Sequence, residues 1–220
     1  MNSLNYGLTS LTSLGGLLLA LAAPAHAVII QPNTAVASSE FSSSYLAINT
    51  INGSGLTGPV GSLPTHSAYA TGNHWTTAAN TNPLDAFITW GFTSPQTLDT
   101  IYLWNHQSNG GIANNSGYDV GNFALTFFNA SNVIIGTYSG TLAFDSNAAQ
   151  GFNFGAIADV SSVRFDVNSI QNSQSPYTGL AEVAFNTTIV RNAPDAASTA
   201  GLLGLSVLTL AFFSRRLSPA

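Results

Sequence analysis

The chain has 220 residues, with four Lys+Arg, nine Asp+Glu and a formal net charge of −5. Only 6% of residues are charged, against the usual quarter, while 45% are hydrophobic. This excludes both a disordered polyelectrolyte and a protein built to neutralise a row of phosphates, so nucleic acid is not an expected partner. There is no Cys, which removes disulfides, thiolate chemistry and cysteine zinc sites together.

The first element is the apolar run LGGLLLALAAPAHA at 14–27, which ends in Pro24 followed by Ala25-His26-Ala27. A short apolar core followed by A-x-A is the pattern of a secretory signal. Residues 1–27 are therefore expected to be removed by signal peptidase after Ala27. The stretch before this core carries no Lys or Arg, so the α-amino group supplies its only positive charge.

Residues 28–190 are expected to form the working domain. Short apolar runs with period-two alternation, split by turn residues, are the mark of an all-β chain. Strands are predicted at 86–92 (AFITWGF), 98–104 (LDTIYLW), 122–128 (NFALTFF), 162–167 (SVRFDV) and 179–185 (GLAEVAF). A hairpin or bent strand around Gly136 or Gly140 is predicted at 133–144. Val163, Phe165 and Val167 should face the core, with Arg164 and Asp166 outward. Val183 and Phe185 should point inward and Glu182 outward. About seven short strands imply a β-sandwich, most simply a jelly roll.

At the far end, residues 196–213 (AASTAGLLGLSVLTLAFF) carry no charge. Eighteen residues at about 1.5 Å each reach roughly 27 Å, enough for a bilayer core of about 30 Å. The run has no polar face, and Arg215 and Arg216 follow it where a cytoplasmic stop signal belongs. A transmembrane helix is expected at 196–213, inside a tail of 191–220.

Two resemblances add to this reading. The tail has Pro194-Asp195, then Ala196-Ala197-Ser198-Thr199, an apolar helix and arginines. It resembles the PEP-CTERM sorting tails of Gram-negative bacteria in their VPD-type variants, with Ala193 where Val is usual. That resemblance implies processing by exosortase and delivery to the cell surface or extracellular matrix. The alternative is a plain single-pass anchor that is never cut. Within the domain, Ala35-Val36-Ala37-Ser38-Ser39, Ala47-Ile48-Asn49-Thr50-Ile51-Asn52-Gly53, His74-Trp75-Thr76, Phe87-Ile88-Thr89-Trp90-Gly91-Phe92 and the strand from Leu98 to Asn105 come in order. Val163-Arg164-Phe165 and the closing GLAEVAF complete the series. The order resembles the discoidin, or F5/8 type C, family with its galactose-binding-like jelly roll, although the Asp-Leu pair of the family's W-I-x-x-D-L-G strand is missing.

That resemblance implies a non-catalytic binding module. The residues agree: the sequence has no G-x-S-x-G, H-E-x-x-H or phosphate loop. Seven Asp could still supply a glycosidase pair, so a small exported hydrolase stays open beside a structural matrix spacer without ligand. The resemblance also implies one structural Ca²⁺ held near Asn52 and Glu182. The alternative makes Asn52-Gly53 a plain turn and Glu182 a solvated edge residue. His66, His74 and His106 lack ligand spacing and read as surface-loop residues. Trp75 reads as core; Tyr69, Tyr118 and Tyr177 read as aromatics on polar loops, suited to sugar C–H faces. The long polar loop 105–121 carries His106, Asn109, Asn114, Asn115 and Tyr118 without Lys or Arg. With Tyr177, it is the expected site for a neutral carbohydrate of an extracellular polysaccharide.

The ends give the first prediction. Intact mass of the surface fraction, from cells that have an exosortase, should show a chain starting at Val28 and lacking the apolar tail. Full-length tail in that fraction would leave only the plain anchor.

Overall fold

The computed structural model describes residues 26–79, 81–106, 117–171 and 175–189. The expected signal segment up to Ala25, the loop residues Asn109, Asn114 and Asn115, and the tail with Pro194, Asp195, Arg215 and Arg216 lie outside them. Among the described residues no helix is long and apolar enough to cross a membrane.

Among the described residues eight strands carry the fold: β1 (His26–Ile30), β2 (Thr34–Ala37), β3 (Trp75–Thr76), β4 (Phe87–Asn105), β5 (Asn122–Phe128), β6 (Ile134–Thr141), β7 (Gln150–Val167) and β8 (Gly179–Ile189). All named strand pairs are antiparallel. β4 and β7 are long, and they pair twice. Phe87–Gly91 face Asp166–Ser162 in a front layer ordered β2-β4-β7-β5-β6, and Thr100–Leu103 face Asn153–Gln150 in a back layer. In the back layer β8 lies beside β4, with β1 and β3 on its other edge.

The core forms between the layers. Ile88, Trp90, Phe123, Leu125, Phe127, Val163 and Phe165 are fully buried from the front, as are Ile101, Leu103, Val183 and Phe185 from the back. Trp90 meets Phe185 edge-on across the gap at 6.1 Å between ring centres. Phe123 meets Phe152 at 5.0 Å. Val163, Phe165 and Val167 face inward as their alternation requires. Arg164 lies on the open face, paired with Asp166 at 2.8 Å and lying 3.8 Å over the Phe87 ring.

Three sequence expectations need correction. The predicted strands at 86–92 and 98–104 are one strand. Pro95, which cannot donate to a ladder, falls where the β4–β7 register jumps between Gly91 and Gln96, so the strand continues through a bulge. Of the two forms expected at 133–144, the hairpin is absent and the bent strand is present: β6 runs unbroken through Gly136 and Gly140, with its register against β5 shifting beside Gly136. The turn lies earlier, at Asn129–Asn132, with Asn132 at φ 60° and its N–H on the Asn129 carbonyl. Gly140 is instead a close-approach position, because a Cβ there would lie 2.6 Å from the Phe123 ring. Glu182 does not face solvent. The outer face of the back layer is covered by the segment between the 3-10 turns Ala47–Ile51 and Val60–Ser62 and by the chain just beyond the second turn. There Trp104 donates its indole N–H to the Pro64 carbonyl at 2.8 Å and packs with Ala181, Ala184, Leu56, Val60 and Leu63. Glu182 pairs with Trp104 in register, shares that face, and is 0% exposed.

The start of the long loop is not surface either. Asn105 ends β4 and is 1% exposed. Its amide donates to the carbonyls of Val120 (2.8 Å) and Ala143 (3.0 Å), and its oxygen accepts from the N–H groups of His106 (3.0 Å) and Val120 (2.9 Å). All four of its hydrogen-bonding positions are used. Asn105→Ala strands these backbone groups in the interior. Denaturant unfolding should report a loss of about 3 kcal/mol; a loss below about 0.5 kcal/mol would show that Asn105 does not hold the loop.

Candidate functional site

Four loop segments meet at one end of the sandwich and are stitched by backbone bonds. The Phe41 N–H donates to the Thr76 carbonyl (2.8 Å), Thr77 to Thr178 (2.9 Å), and Gly179 to Tyr118 (3.1 Å). Thr178 adds its hydroxyl to the Tyr118 carbonyl at 2.9 Å. The Ser175 hydroxyl accepts from the Tyr177 N–H at 3.1 Å and donates to the Tyr177 carbonyl at 2.9 Å, which fixes that corner. Gly179 is obligatory here, because a Cβ would run into the Trp75 carbonyl and the His106 ring.

These segments assemble a closed circuit of rings. Phe41 meets Tyr45 (5.6 Å) and Tyr177 (5.5 Å); Tyr177 meets Tyr118 (5.2 Å) and Tyr118 meets His106 (5.3 Å). His106 meets His74 (4.6 Å) and Tyr69 (5.0 Å), and Tyr69 closes back on Tyr45 at 5.8 Å. A pocket of about 120 Å³ opens among Phe41, Tyr69, Thr76, Tyr118 and Tyr177. None of these residues is charged. Phe41 is 47% exposed, the half-open wall of the pocket.

The sequence-predicted residues divide here. Tyr118, Tyr177 and Tyr69 come together in the pocket, and Trp75 is core, its indole N–H on the Ser39 carbonyl at 2.9 Å. His106 belongs to the circuit but is 1% exposed, a ring beneath the pocket rather than a surface contact. His66 and His74 are buried as well, which corrects the surface-loop reading of all three. Phe41, Tyr45 and Thr76 were not predicted. Phe41 and Tyr45 flank the serines of FSSSY, a spacing that carries no strand or helix signal.

Burial keeps the imidazoles neutral. It pulls His74 down to about 3, with His66 nearby adding to the effect, and pulls His106 well below its ordinary value, with His74 and His66 adding. His66 is lowered by burial too, against the carbonyls of Ser67 and Ser54 that face its two nitrogens at 2.7 and 2.9 Å. His74 donates from Nδ1 to the Asn73 oxygen at 2.7 Å, the oxygen that also takes the Ala70 N–H; its Nε2 has no partner. Burial raises Tyr69 and Tyr118, so the phenols are neutral also.

No family model and no curated protein sequence matches the chain, but solved structures do. It is similar to the family 32 carbohydrate-binding module of Clostridium perfringens NanJ, solved with galactose. The identity is 15%, the match covers 73% of this chain and 99% of that one, and the TM-score is 0.53. The third such module of a C. perfringens family 31 glycoside hydrolase matches at 16% identity, 73% and 91% coverage and a TM-score of 0.53. An F5/8 type C domain from Bacteroides fragilis matches at 17%, 70% and 91%, with a TM-score of 0.50. The fold is that of the family 32 carbohydrate-binding modules. Identities this low establish the shared sandwich alone.

On this module fold, the turn at Asn52 and the late Glu182 are neighbours although 129 residues separate Gly53 from Glu182. Glu182 Oε1 accepts from the Gln31 amide (2.6 Å) and the Gly53 N–H (3.4 Å), while the buried Oε2 has no partner. Burial raises its pKa to about 8. The Asn52 oxygen is occupied by the Ser54 N–H at 2.8 Å. Among the described residues, no group of three or more His, Asp and Glu is arranged to hold a metal. Asp119 and Asp145 also meet, the Asp145 N–H donating to Asp119 Oδ2 at 2.6 Å, with Gln171 donating to Asp145 at 3.2 Å.

The buried histidines set a pH dependence. Their folded pKa values lie below the unfolded value of about 6.5, so the stability they confer is complete above that pH and is lost as pH falls. Between about pH 6.5 and 5, His74 and His106 should each cost up to about 1.4 kcal/mol per pH unit, while Glu182, raised by burial to about 8, works the other way and offsets about one of the two. Denaturation midpoints across that range should show the net slope; Glu182→Gln should steepen it and His74→Gln should remove most of it. A flat profile in Glu182→Gln would mean that the rings charge freely.

Proposed function

We propose that this protein is a non-catalytic carbohydrate-binding protein, exported and sorted to the cell surface or extracellular matrix, and that its ring-lined pocket is the binding site. The observation that carries the reading is the pocket itself. Four aromatic side chains and one threonine, none charged, open at the loop end of a fold shared with carbohydrate-binding modules. Aromatic faces take sugar C–H surfaces, and phenol and threonine hydroxyls take sugar hydroxyls. The absence of Lys and Arg from the lining disfavours anionic sugars and favours neutral ones. The galactose held by the NanJ module makes a neutral hexose the first candidate. Export through the 1–27 signal, and a tail handed to exosortase or kept as a membrane anchor, would place the domain where extracellular polysaccharide is met.

On a glycan array the chain should bind neutral glycans with micromolar to millimolar affinity, about −8 to −4 kcal/mol. Tyr177→Ala should weaken binding by roughly 1 kcal/mol or more with little change in melting temperature. His106→Ala should instead lower stability, because that ring is buried. A parent chain that binds no glycan would favour the spacer reading, and hydrolysis of an arrayed glycan would restore the hydrolase.

A structural Ca²⁺ belongs to the same proposal. The unpartnered, buried Oε2 of Glu182 has the oxygen chemistry that Ca²⁺ takes, with the Asn52-Gly53 turn beside it. The fit is partial, because the Asn52 oxygen is engaged by its own turn. Bound Ca²⁺ would hold the carboxylate ionised against its raised pKa. Calcium should then raise the melting temperature of the parent and leave Glu182→Gln unchanged. Equal melting of the parent in calcium and in chelator would remove the metal.

A further inference from the structure

We infer that the pocket among Phe41, Tyr118 and Tyr177 is a cage for a methylated ammonium group, free or carried on a polysaccharide. The inference rests on the reading of this pocket as the binding site, and it goes beyond neutral sugar to the group that enters first.

Three features point this way. The first is shape. Phe41 and Tyr177 stand at 85° to each other, and Tyr177 and Tyr118 at 62°. Rings so inclined line the pocket from several sides rather than along one plane, and a compact, rounded group can touch more than one of them. The second is size and reach. The pocket is about 120 Å³, small beside the roughly 300 Å³ or more of a site for a larger ligand. Neighbouring ring centres are 5.5 and 5.2 Å apart, the spacing of rings packed on one another, so the three present one continuous aromatic wall to a group in the pocket.

The third is charge. Among the described residues no Lys or Arg lines the pocket, the imidazoles beneath it are kept neutral by burial, and the chain carries −5 overall. An uncharged, electron-rich aromatic lining suits a cation better than an anion. An ammonium stripped of N–H groups by methylation fits best, because it needs no hydrogen-bond acceptor and loses little hydration on entry.

The test titrates the full-length chain with tetramethylammonium chloride, matched in ionic strength by NaCl, and with tert-butyl alcohol as the neutral near-isostere. NMR shifts of the ring residues and calorimetry are the readouts. Tetramethylammonium should bind at least about tenfold more tightly than the alcohol. Tyr177→Leu should lose that preference at unchanged melting temperature, and Tyr118→Phe, which keeps the ring, should retain it. Equal binding of the alcohol would overturn the cage and make the pocket a receptor for an apolar methyl. Tetramethylammonium shifts outside the ring residues would overturn it as well.

Free choline and a phosphocholine-bearing polysaccharide then separate the sources. Tighter capture of the polysaccharide assigns the group to a glycan, and equal capture assigns it to the small molecule. If neutral glycans bind and tetramethylammonium does not, the cage fails and the carbohydrate reading stands. If tetramethylammonium binds and no glycan does, the carbohydrate reading fails and the cage stands.

Discussion

Antiparallel pairing between β4 and β7 carries both layers of this sandwich at once. Each strand begins in one layer and ends in the other, and the change of layer falls where the register jumps between Gly91 and Leu98. Without those jumps the two strands would continue as one flat ribbon, with no interior for Trp90 and Phe185 to share. The bulged stretch is also what brings the end of β4 to Asn105, and Asn105 sets the entry to the loop that returns at Tyr118. The position of the pocket therefore comes from where two strands bend.

Parts of this were legible in the sequence because alternation is a local signal. Phe123, Leu125 and Phe127, and Val163, Phe165 and Val167, lie on the faces that their period of two demands. The first half of β7 was not legible. Its apolar residues Phe152, Phe154, Ile157 and Val160 drift out of phase, because Gly155 and Asp159 take positive φ and break the alternation. Glu182 misled for a different reason. Whether the outer face of a strand meets water depends on a segment more than a hundred residues away, and nothing in GLAEVAF encodes the cover supplied by Leu56, Val60 and Leu63.

The pocket was half legible. Aromatics on polar loops could be named one by one, but their convergence is set by Thr76, Thr77 and Thr178, whose hydrogen bonds join segments far apart in the chain. The histidines show how composition misleads when burial is unknown. Three imidazoles in polar stretches look like surface groups. Here His74 and His106 pack on one another and against the tyrosines, which reinforces their neutrality, while His66 is buried against the carbonyls of Ser54 and Ser67.

The circuit of rings has an optical consequence. The three tryptophans, Trp75, Trp90 and Trp104, are all fully buried, and Trp90 in particular is sealed between the layers against Phe165 and Phe185. Their emission is set by the interior. The tyrosines are different. Tyr45 and Tyr69 lie nearly parallel at 5.8 Å, and Tyr118 and Tyr177 are inclined at 5.2 Å. Transition dipoles that close exchange excitation, and inclined ones produce paired bands of opposite sign in near-ultraviolet circular dichroism. The loop end of the molecule thus carries its own chromophore, and small rotations of Tyr177 against Tyr118 can be followed without any label.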